Sequence, residues 1–240
     1  MNYFSNILKG AILQPTYLPW LGYFEMIDAV EVFVVFDHVQ FVKKSWQQRN
    51  KIKTSSGITT LTVPIQREGQ NSVIDQIKIS YGKNNPLAKH WKTISLAYKK
   101  ADFFSEYSDV FEKIYLTEFT HLRDLNVSLI KQICKILGIK TKIIFSSELN
   151  YDKRKKGINE DIISLCKFVD ITSLYDAKGA EQFLDKSLFL QNKIPLEFQE
   201  FNHPCYKQLW GKFEPYLSII DLIFNEGKDS LKIIKSGKKN

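Results

Sequence analysis

Residues 9–36 have the sequence KGAILQPTYLPWLGYFEMIDAVEVFVVF, and this stretch decides the fold class. Its first apolar run, at residues 9–13, ends at Gln14 and Pro15, where the proline stops strand pairing. Apolar residues at helical spacing follow at 21–28, and the β-branched and aromatic run at 30–36 is typical of a buried strand. The stretch therefore predicts a βαβ unit whose two strands lie parallel in one sheet.

The rest of the chain continues with strands and helices. Strand patterns occur at residues 49–54, 59–65, 73–79, 142–145, 174–176 and 195–201. Helical patterns occur at residues 86–97, 103–116, 122–137, 159–169 and 218–224. Asn159 and Ser218 are the predicted N-caps of the last two helices, and Gly138 is predicted to end the helix at 122–137. We expect an α/β fold in which a mixed sheet is covered by helices. The expected organisation is a single domain over residues 1–240, with a helical layer or subdomain at about 86–138.

Composition limits the class of protein and its partners. Of 240 residues, 44% are hydrophobic and 25% are charged, which is typical of a globular protein. The net charge of +8 favours an anionic partner, such as a nucleotide, a nucleotide-sugar, an acidic carrier protein, RNA or a membrane face. No apolar run reaches the roughly 18 residues of a membrane span, and no signal-peptide pattern begins the chain. We therefore expect a cytoplasmic protein.

Cysteine spacing and catalytic motifs exclude further classes. Cys134, Cys166 and Cys205 are widely spaced and form no Cys-x-x-Cys pair, so we expect neither a disulfide framework nor a metal site. P-loop, Gly-x-Gly-x-x-Gly, His-Glu-x-x-His and Gly-x-Ser-x-Gly patterns are missing, which disfavours kinases, dehydrogenases, metalloproteases and serine hydrolases. The basic run at residues 153–156 is predicted to be a solvated loop.

The densest group of polar and aromatic residues follows the first two strands. Its members are Gln14, Tyr17, Trp20, Tyr23, Asp37, His38, Gln40, Trp46, Arg49, Asn50 and Lys51. Because the carboxyl ends of parallel strands meet at one edge of a sheet, this group predicts a ligand site. His38 has the pKa of a general acid or base, whereas Asp37 could equally cap a turn. In an extended strand end the two side chains would point to opposite sides.

A second group, His203, Tyr206 and Gln208, lies late in the chain and offers further ligand contacts. Cys205 stands two residues from His203, but Pro204 breaks strand geometry and no feature lowers the thiol pKa, so we expect an inert cysteine. We predict that residues 14–23, 37–51 and 203–208 line one cleft.

Five of these stretches resemble the WbqC-like family. They are Gln-Pro-x-Tyr-x-Pro-Trp-x-Gly-Tyr-Phe at 14–24, Asp-x-Val-Gln-Phe at 37–41, Trp-x-x-Arg-Asn-x-Ile-Lys at 46–53, His-Pro-x-Tyr-x-Gln at 203–208, and Leu-Ser-Ile-Ile-Asp-Leu-Ile-Phe-Asn-x-Gly at 217–227. The resemblance covers residues 9–228. The family often has Asp-Asp where this chain has Asp37 and His38, which favours Asp37 as a base. Trp20-Leu-Gly-Tyr23 is also similar in outline to the His-x-Gly-His turn of nucleotidylyltransferases, with aromatic residues at both histidine positions.

The family resemblance implies a role in O-antigen, lipopolysaccharide and related polysaccharide biosynthesis. The implied reaction is transfer of a glycyl or other acyl group to a nucleotide-linked amino-sugar. Such an N-acyltransferase needs a base, oxyanion donors and phosphate contacts. The candidate bases are Asp37 and His38, the candidate oxyanion donors Asn50, Gln40 and Trp46, and the candidate phosphate contacts Arg49 and Lys51.

The sequence does not identify the acyl donor, and the candidates are a carrier-protein thioester, an acyl-CoA, an adenylate and an aminoacyl-tRNA. We expect no tightly bound cofactor, and an acyl carrier protein is a further candidate partner. The alternative is a non-catalytic protein that binds a nucleotide-sugar or carrier in a polysaccharide pathway. An RNA-binding protein ranks last, because no arginine-aromatic RNA motif is found.

Overall fold

A computed structural model describes residues 7–66, 72–153 and 157–239. The strands of the described part are β1 (Lys9–Leu13), β2 (Val32–Val35), β3 (Arg49–Thr54), β4 (Gly57–Thr62), β5 (Lys142–Phe145), β6 (Ser173–Asp176) and β7 (Leu196–Phe198). Its α-helices are α1 (Leu21–Asp28), α2 (Pro86–Tyr98), α3 (Phe104–Leu116), α4 (Leu122–Leu137), α5 (Ile158–Phe168), α6 (Lys186–Gln191), α7 (Ile219–Glu226) and α8 (Ser230–Ser236).

Five strands form one sheet in the order β5-β2-β1-β6-β7, and every pairing in it is parallel. Counted along the chain, these five strands have the order 3-2-1-4-5, which is that of the doubly wound α/β fold. The predicted α/β class and the opening βαβ unit are confirmed. The antiparallel part that was expected inside a mixed sheet is instead a separate hairpin of β3 and β4.

The sheet is buried on both faces. Alternate residues of its strands point to opposite sides and therefore belong to different cores. Ala11 and Phe33 belong to a core that includes residues of α1 to α4 and of α7. Ile12 and Val34, the next residues along, belong to a second core that includes residues of α5 and α6. The region at about 86–138 thus forms helices α2 to α4, which share the first core.

Most predicted helices are confirmed, and two local predictions are wrong. Ser218 caps α7 by accepting a hydrogen bond from the Ile220 N–H, and α4 ends at Gly138 with φ 73°. Residues 73–79 do not form a continuous strand, because a 3-10 helix at Ile74–Gln76 interrupts them with isolated bridges on either side. Asn159 is not an N-cap: α5 begins at Ile158 after Gly157.

Four further sequence expectations concern membrane spans, metal sites, the cysteines and the basic run. Within the described ranges, no helix is long and apolar enough to cross a membrane, and no group of His, Cys, Asp and Glu side chains has metal-binding geometry. All three cysteines are free, and burial raises the pKa of Cys134 and of Cys166 to about 12. Residues 154–156 of the basic run lie outside the described residues.

Candidate functional site

A cavity, called the large cavity below, lies at the carboxyl edge of the parallel sheet, between β1 and β6. At this point the strand order reverses direction, which is where doubly wound folds bind ligands. The cavity has a volume of about 600 Å³. Its polar lining residues are Gln14, Thr16, Asp176 and Gln199, and its wall is otherwise largely apolar.

A smaller aromatic cavity of about 290 Å³ adjoins the first. It is lined by Thr16, Pro19, Trp20, Tyr23, Trp46, Asn50 and Tyr216. Trp20 lines both cavities, and its indole lies over the first turn of α1, where a Cβ on Gly22 would come within 2.4 Å of the ring. The glycine of the Trp-x-Gly-Tyr motif therefore leaves room for the ring that joins the two cavities.

The loop between β1 and α1 is held by buried amide side chains. Leu18 has φ 45°, a left-handed conformation that is unfavourable for a bulky residue. The Asn50 amide donates to the Leu18 carbonyl at 2.6 Å and to the Tyr17 carbonyl at 3.3 Å, and so stabilises this turn. The Gln14 side-chain oxygen accepts a hydrogen bond from Gln47 at 2.7 Å.

Asp176 is a carboxylate at the end of β6 that the sequence analysis missed. It lines the large cavity, is 5% exposed, and accepts a hydrogen bond from the Ala177 N–H at 2.7 Å. No ion pair involving Asp176 is found in the part of the chain that the structure describes. Burial raises its pKa to about 7. A carboxyl group at the end of a buried strand was the signal that could have found it.

Asp37, at the end of β2, has a different environment. Its side chain is completely buried, and its oxygens accept four hydrogen bonds. The donors are the Ser146 hydroxyl at 3.0 Å, the Ser147 N–H at 2.8 Å, the Ser147 hydroxyl at 2.7 Å and the Arg123 guanidinium at 3.1 Å. Its proposed role as a base stays a prediction.

His38 follows Asp37 and shares a hydrogen-bond partner with it, the Ser146 hydroxyl. Its Nδ1 lies 2.7 Å from the Ser146 hydroxyl, and its Nε2 lies 3.3 Å from Asp161 on α5 and 3.1 Å from the Tyr151 hydroxyl. Since Ser146 donates its own proton to Asp37, we assign the proton between Ser146 and His38 to Nδ1. Ser146 is fully buried, so this arrangement does not expose a serine nucleophile.

The two tyrosines of the first group, Tyr17 and Tyr23, use their hydroxyl groups in hydrogen bonds within the chain. Tyr17 is buried below the loop, with its hydroxyl 2.8 Å from both His90 Nδ1 and the Tyr115 hydroxyl. Burial raises the Tyr17 pKa well above its usual value. Tyr23 donates its hydroxyl to the Gln14 carbonyl at 3.1 Å.

Trp46 is half exposed, and the Lys51 ammonium lies 6.0 Å from the centre of its ring. Arg49 begins β3, close to both residues in the chain, and is partly exposed. Gln40 is exposed and pairs with Val73 in an isolated bridge, outside the lining of either cavity.

His203 contacts the ring of Trp20, which lines both cavities. The two rings are stacked with centroids 6.3 Å apart, and the Tyr206 ring stacks on the imidazole at 6.2 Å. His203 Nδ1 donates to the Pro204 carbonyl at 2.9 Å, and its Nε2 is buried with no partner among the described residues. Burial lowers the pKa of His203.

Tyr206 and Gln208 hold this late segment in place. The Tyr206 hydroxyl donates to Asp221 at 2.9 Å, and the Gln208 carbonyl oxygen accepts from the Lys53 ammonium at 3.0 Å. Burial raises the Tyr206 pKa. Cys205, between them, is exposed.

The structure thus brings together part of each predicted segment. Gln14, Trp20, Tyr23, Trp46 and Asn50 line the two joined cavities, and His203 packs behind Trp20. The side chains of Asp37 and His38 lie at the same edge of the sheet, in the hydrogen-bonded cluster around Ser146.

Comparison with known proteins shows the family to which this chain is similar. The model of the "WbqC-like protein family" matches residues 14–233. The chain is also 36% identical over 225 residues to "Uncharacterized protein Rv1507c" of Mycobacterium tuberculosis, covering 92% of this chain and 95% of that protein. No solved structure matches significantly. Since the family model spans nearly the whole chain and includes every motif quoted above, the protein belongs to the WbqC-like family.

Proposed function

We propose that the protein is an N-acyltransferase that transfers a glycyl, aminoacyl or other acyl group to a nucleotide-linked amino-sugar, in the biosynthesis of O-antigen or a related surface polysaccharide. The observation that carries this proposal is Asp176. It is a buried carboxylate with a pKa of about 7, and it lines a cavity at the ligand-binding edge of the sheet. A pKa near the working pH is what general acid–base catalysis favours.

The aromatic cavity supports binding of the acceptor. A sugar ring placed there would lie against Trp20 and Tyr216, whose ring centroids are 5.6 Å apart. Lys51 and Arg49 are next to this cavity in the chain, on either side of Asn50, and their cations suit a diphosphate. The amine of the sugar would then reach into the large cavity, which Asp176 lines.

The chemistry requires two proton transfers for a thioester donor. The Asp176 carboxylate takes one proton from the sugar ammonium, and the free amine attacks the thioester carbonyl carbon. The new C–N bond forms as the C–S bond breaks, the nitrogen loses its second proton, and the leaving thiolate takes it up. Asn50 already donates its amide hydrogens to the loop, so the Trp46 indole N–H is the preferred oxyanion donor of the predicted set.

The test is the activity of Asp176→Asn against a matched control. Asp170→Asn is an isosteric change at an exposed turn just before β6, where φ is 60° and asparagine is well tolerated. Both variants are assayed with acyl thioesters and a panel of nucleotide-diphosphate amino-sugars bearing the amine at C2, C3 or C4. We expect Asp176→Asn to lower kcat by roughly 100-fold to 10,000-fold and Asp170→Asn to leave it unchanged. Full turnover by Asp176→Asn would remove the base from the proposal.

One observation favours the non-catalytic alternative. The side chains of Asp37, a predicted base, and Asn50, a predicted oxyanion donor, are engaged in hydrogen bonds within the chain. A protein that only binds a nucleotide-sugar needs the aromatic cavity and no base. Wild-type protein that binds a nucleotide-linked amino-sugar in calorimetry but transfers no acyl group from any donor class would establish this alternative.

A further inference from the structure

The large cavity has an apolar wall whose residues do not line the aromatic cavity. This wall is formed by Ile12, Phe36, Ile158, Ile162, Phe183 and Leu184. They come from the ends of β1 and β2, from the first turns of α5, and from the segment before α6. Branched aliphatic and aromatic side chains dominate this wall, and they offer no hydrogen bonds to a ligand.

Two members of the apolar wall are exposed to water. Phe183 is 65% exposed and Ile158 is 44% exposed, although both are large apolar side chains. They are held in position by Asn159, whose amide donates to the Phe183 carbonyl at 3.1 Å and accepts from the Asp185 N–H at 2.9 Å. A ligand that covered these side chains would gain the free energy of removing apolar surface from water.

The charge of the large cavity narrows the class of ligand. Among its described lining residues there is no lysine, arginine or histidine, and the only carboxylate is Asp176. A phosphate group would therefore find no cation on this lining and a carboxylate close by. A nucleobase placed against the apolar wall would leave the hydrogen-bonding groups on its edges facing side chains that cannot pair with them.

We propose that the apolar wall binds the acyl group, and that this group is an aliphatic chain of several carbons rather than a glycyl group. This proposal rests on the proposed N-acyltransferase function and specifies its substrate. The carbonyl end of the chain would lie near Asp176 and the shared ring of Trp20, where the sugar amine arrives. The aliphatic end would extend past Ile162 towards Phe183, covering the exposed rim.

The experiment measures binding, so that it does not depend on turnover. The probes are N-acetylcysteamine thioesters of acetate, butyrate, hexanoate and octanoate, and their dissociation constants are measured by calorimetry. We expect the affinity to rise by about fourfold for each added CH₂ until the wall is covered. Phe183→Ala should weaken hexanoyl binding at least fivefold and leave acetyl binding unchanged.

Phe168→Ala is the matched control, because Phe168 is 48% exposed and does not line the cavity. Chain-length dependence that is lost in Phe183→Ala and kept in Phe168→Ala supports the proposal. Affinity that does not change with chain length, or wild type that binds none of the probes, overturns it.

A transfer assay separates this proposal from the proposed function. Transfer of glycyl and acetyl groups as efficiently as hexanoyl would refute the aliphatic wall site while leaving the acyltransferase intact. Chain-length-dependent binding without transfer from any thioester would refute the acyltransferase and leave the wall site.

Discussion

Asp37 and Asp176 end two strands that flank β1 on opposite sides, yet their environments differ sharply. Asp37 follows β2 and accepts four hydrogen bonds, one of them from the Arg123 guanidinium. Asp176 ends β6 and accepts one backbone hydrogen bond. The two positions are similar in the topology of the sheet, and the difference comes from elements far away in the chain: Arg123 on α4, and Ser146 and Ser147 after β5.

The comparison shows that position at the carboxyl edge does not by itself identify a base. Both side-chain oxygens of Asp37 already accept hydrogen bonds from donors within the chain, one of them a guanidinium. Asp176 has no such partner in the described structure, and burial alone raises its pKa to about 7. We infer that Asp37 is an anchor between β2, α4 and the residues after β5. Asp176 is the base of the proposed reaction.

The largest expected effect is a loss of stability in the variant Asp37→Ala. The change leaves Arg123 without its buried partner and removes the acceptor of the Ser146 and Ser147 hydroxyls. We expect the free energy of unfolding in urea at pH 7 to fall by about 3–5 kcal/mol. Asp124→Ala is the control, because Asp124 also pairs with Arg123 but is 41% exposed, and it should cost at most about 1 kcal/mol. Equal losses in the two variants would contradict the anchor role.

The second effect is a pH-dependent stabilisation by Asp176→Asn. The folded state of the wild type binds a proton at Asp176 up to a pKa of about 7, whereas the unfolded state loses it near 3.8. The wild type therefore loses stability as the pH rises from about 4 to 7, and an asparagine does not. We compare the free energy of unfolding of Asp176→Asn with that of the wild type at each pH. The difference should shift in favour of the variant by about 2–4 kcal/mol between pH 4 and pH 8.

This gain is measured by urea unfolding of both proteins at several pH values between 4 and 8. A stability difference that stays constant over this range would show that burial does not raise the pKa of Asp176.

The smallest effect is expected for His38→Gln on turnover. His38 is bonded to Ser146 and Asp161, in the cluster that contains Asp37 and away from the lining of the large cavity. We expect kcat for acyl transfer to change by less than about threefold, well below the roughly 100-fold of a lost general base. A pH–rate profile of the same variant should keep its inflection near 7, and loss of that inflection would assign the base to His38.

Local signals in the sequence were sufficient for most of the fold. The runs at residues 9–13 and 30–36 predicted β1 and β2, because buried parallel strands have continuous apolar sequences. Residues 73–79 were also predicted as a strand, because polar and apolar residues alternate towards the end of this segment. In the structure, the Asp75 N–H donates to the Asp37 carbonyl and Ile74 and Ile77 are both buried, which favours a 3-10 turn. That preference depends on tertiary contacts and has no local signature.

The candidate site was only partly predictable for a similar reason. Trp20, Tyr23 and Trp46 belong to motifs that are dense in aromatic residues, and they line the cavities as expected. Asp176 stands alone at the end of a short strand, and the burial that raises its pKa becomes visible only in the folded structure. The oxyanion role of Asn50 stays a prediction, and the hydrogen bonds from its amide to the loop at Leu18 had no signal in the sequence.

The most direct test of the central claim is the titration of the Asp176 carboxyl group. Carbon-13 chemical shifts of aspartate carboxyl groups are followed by NMR from pH 3 to pH 9, and Asp176→Asn identifies the resonance. The account predicts a midpoint at about 7 in the ligand-free protein. A midpoint near the ordinary aspartate value of about 3.9 would contradict it, because Asp176 would then be no better a base than an exposed aspartate.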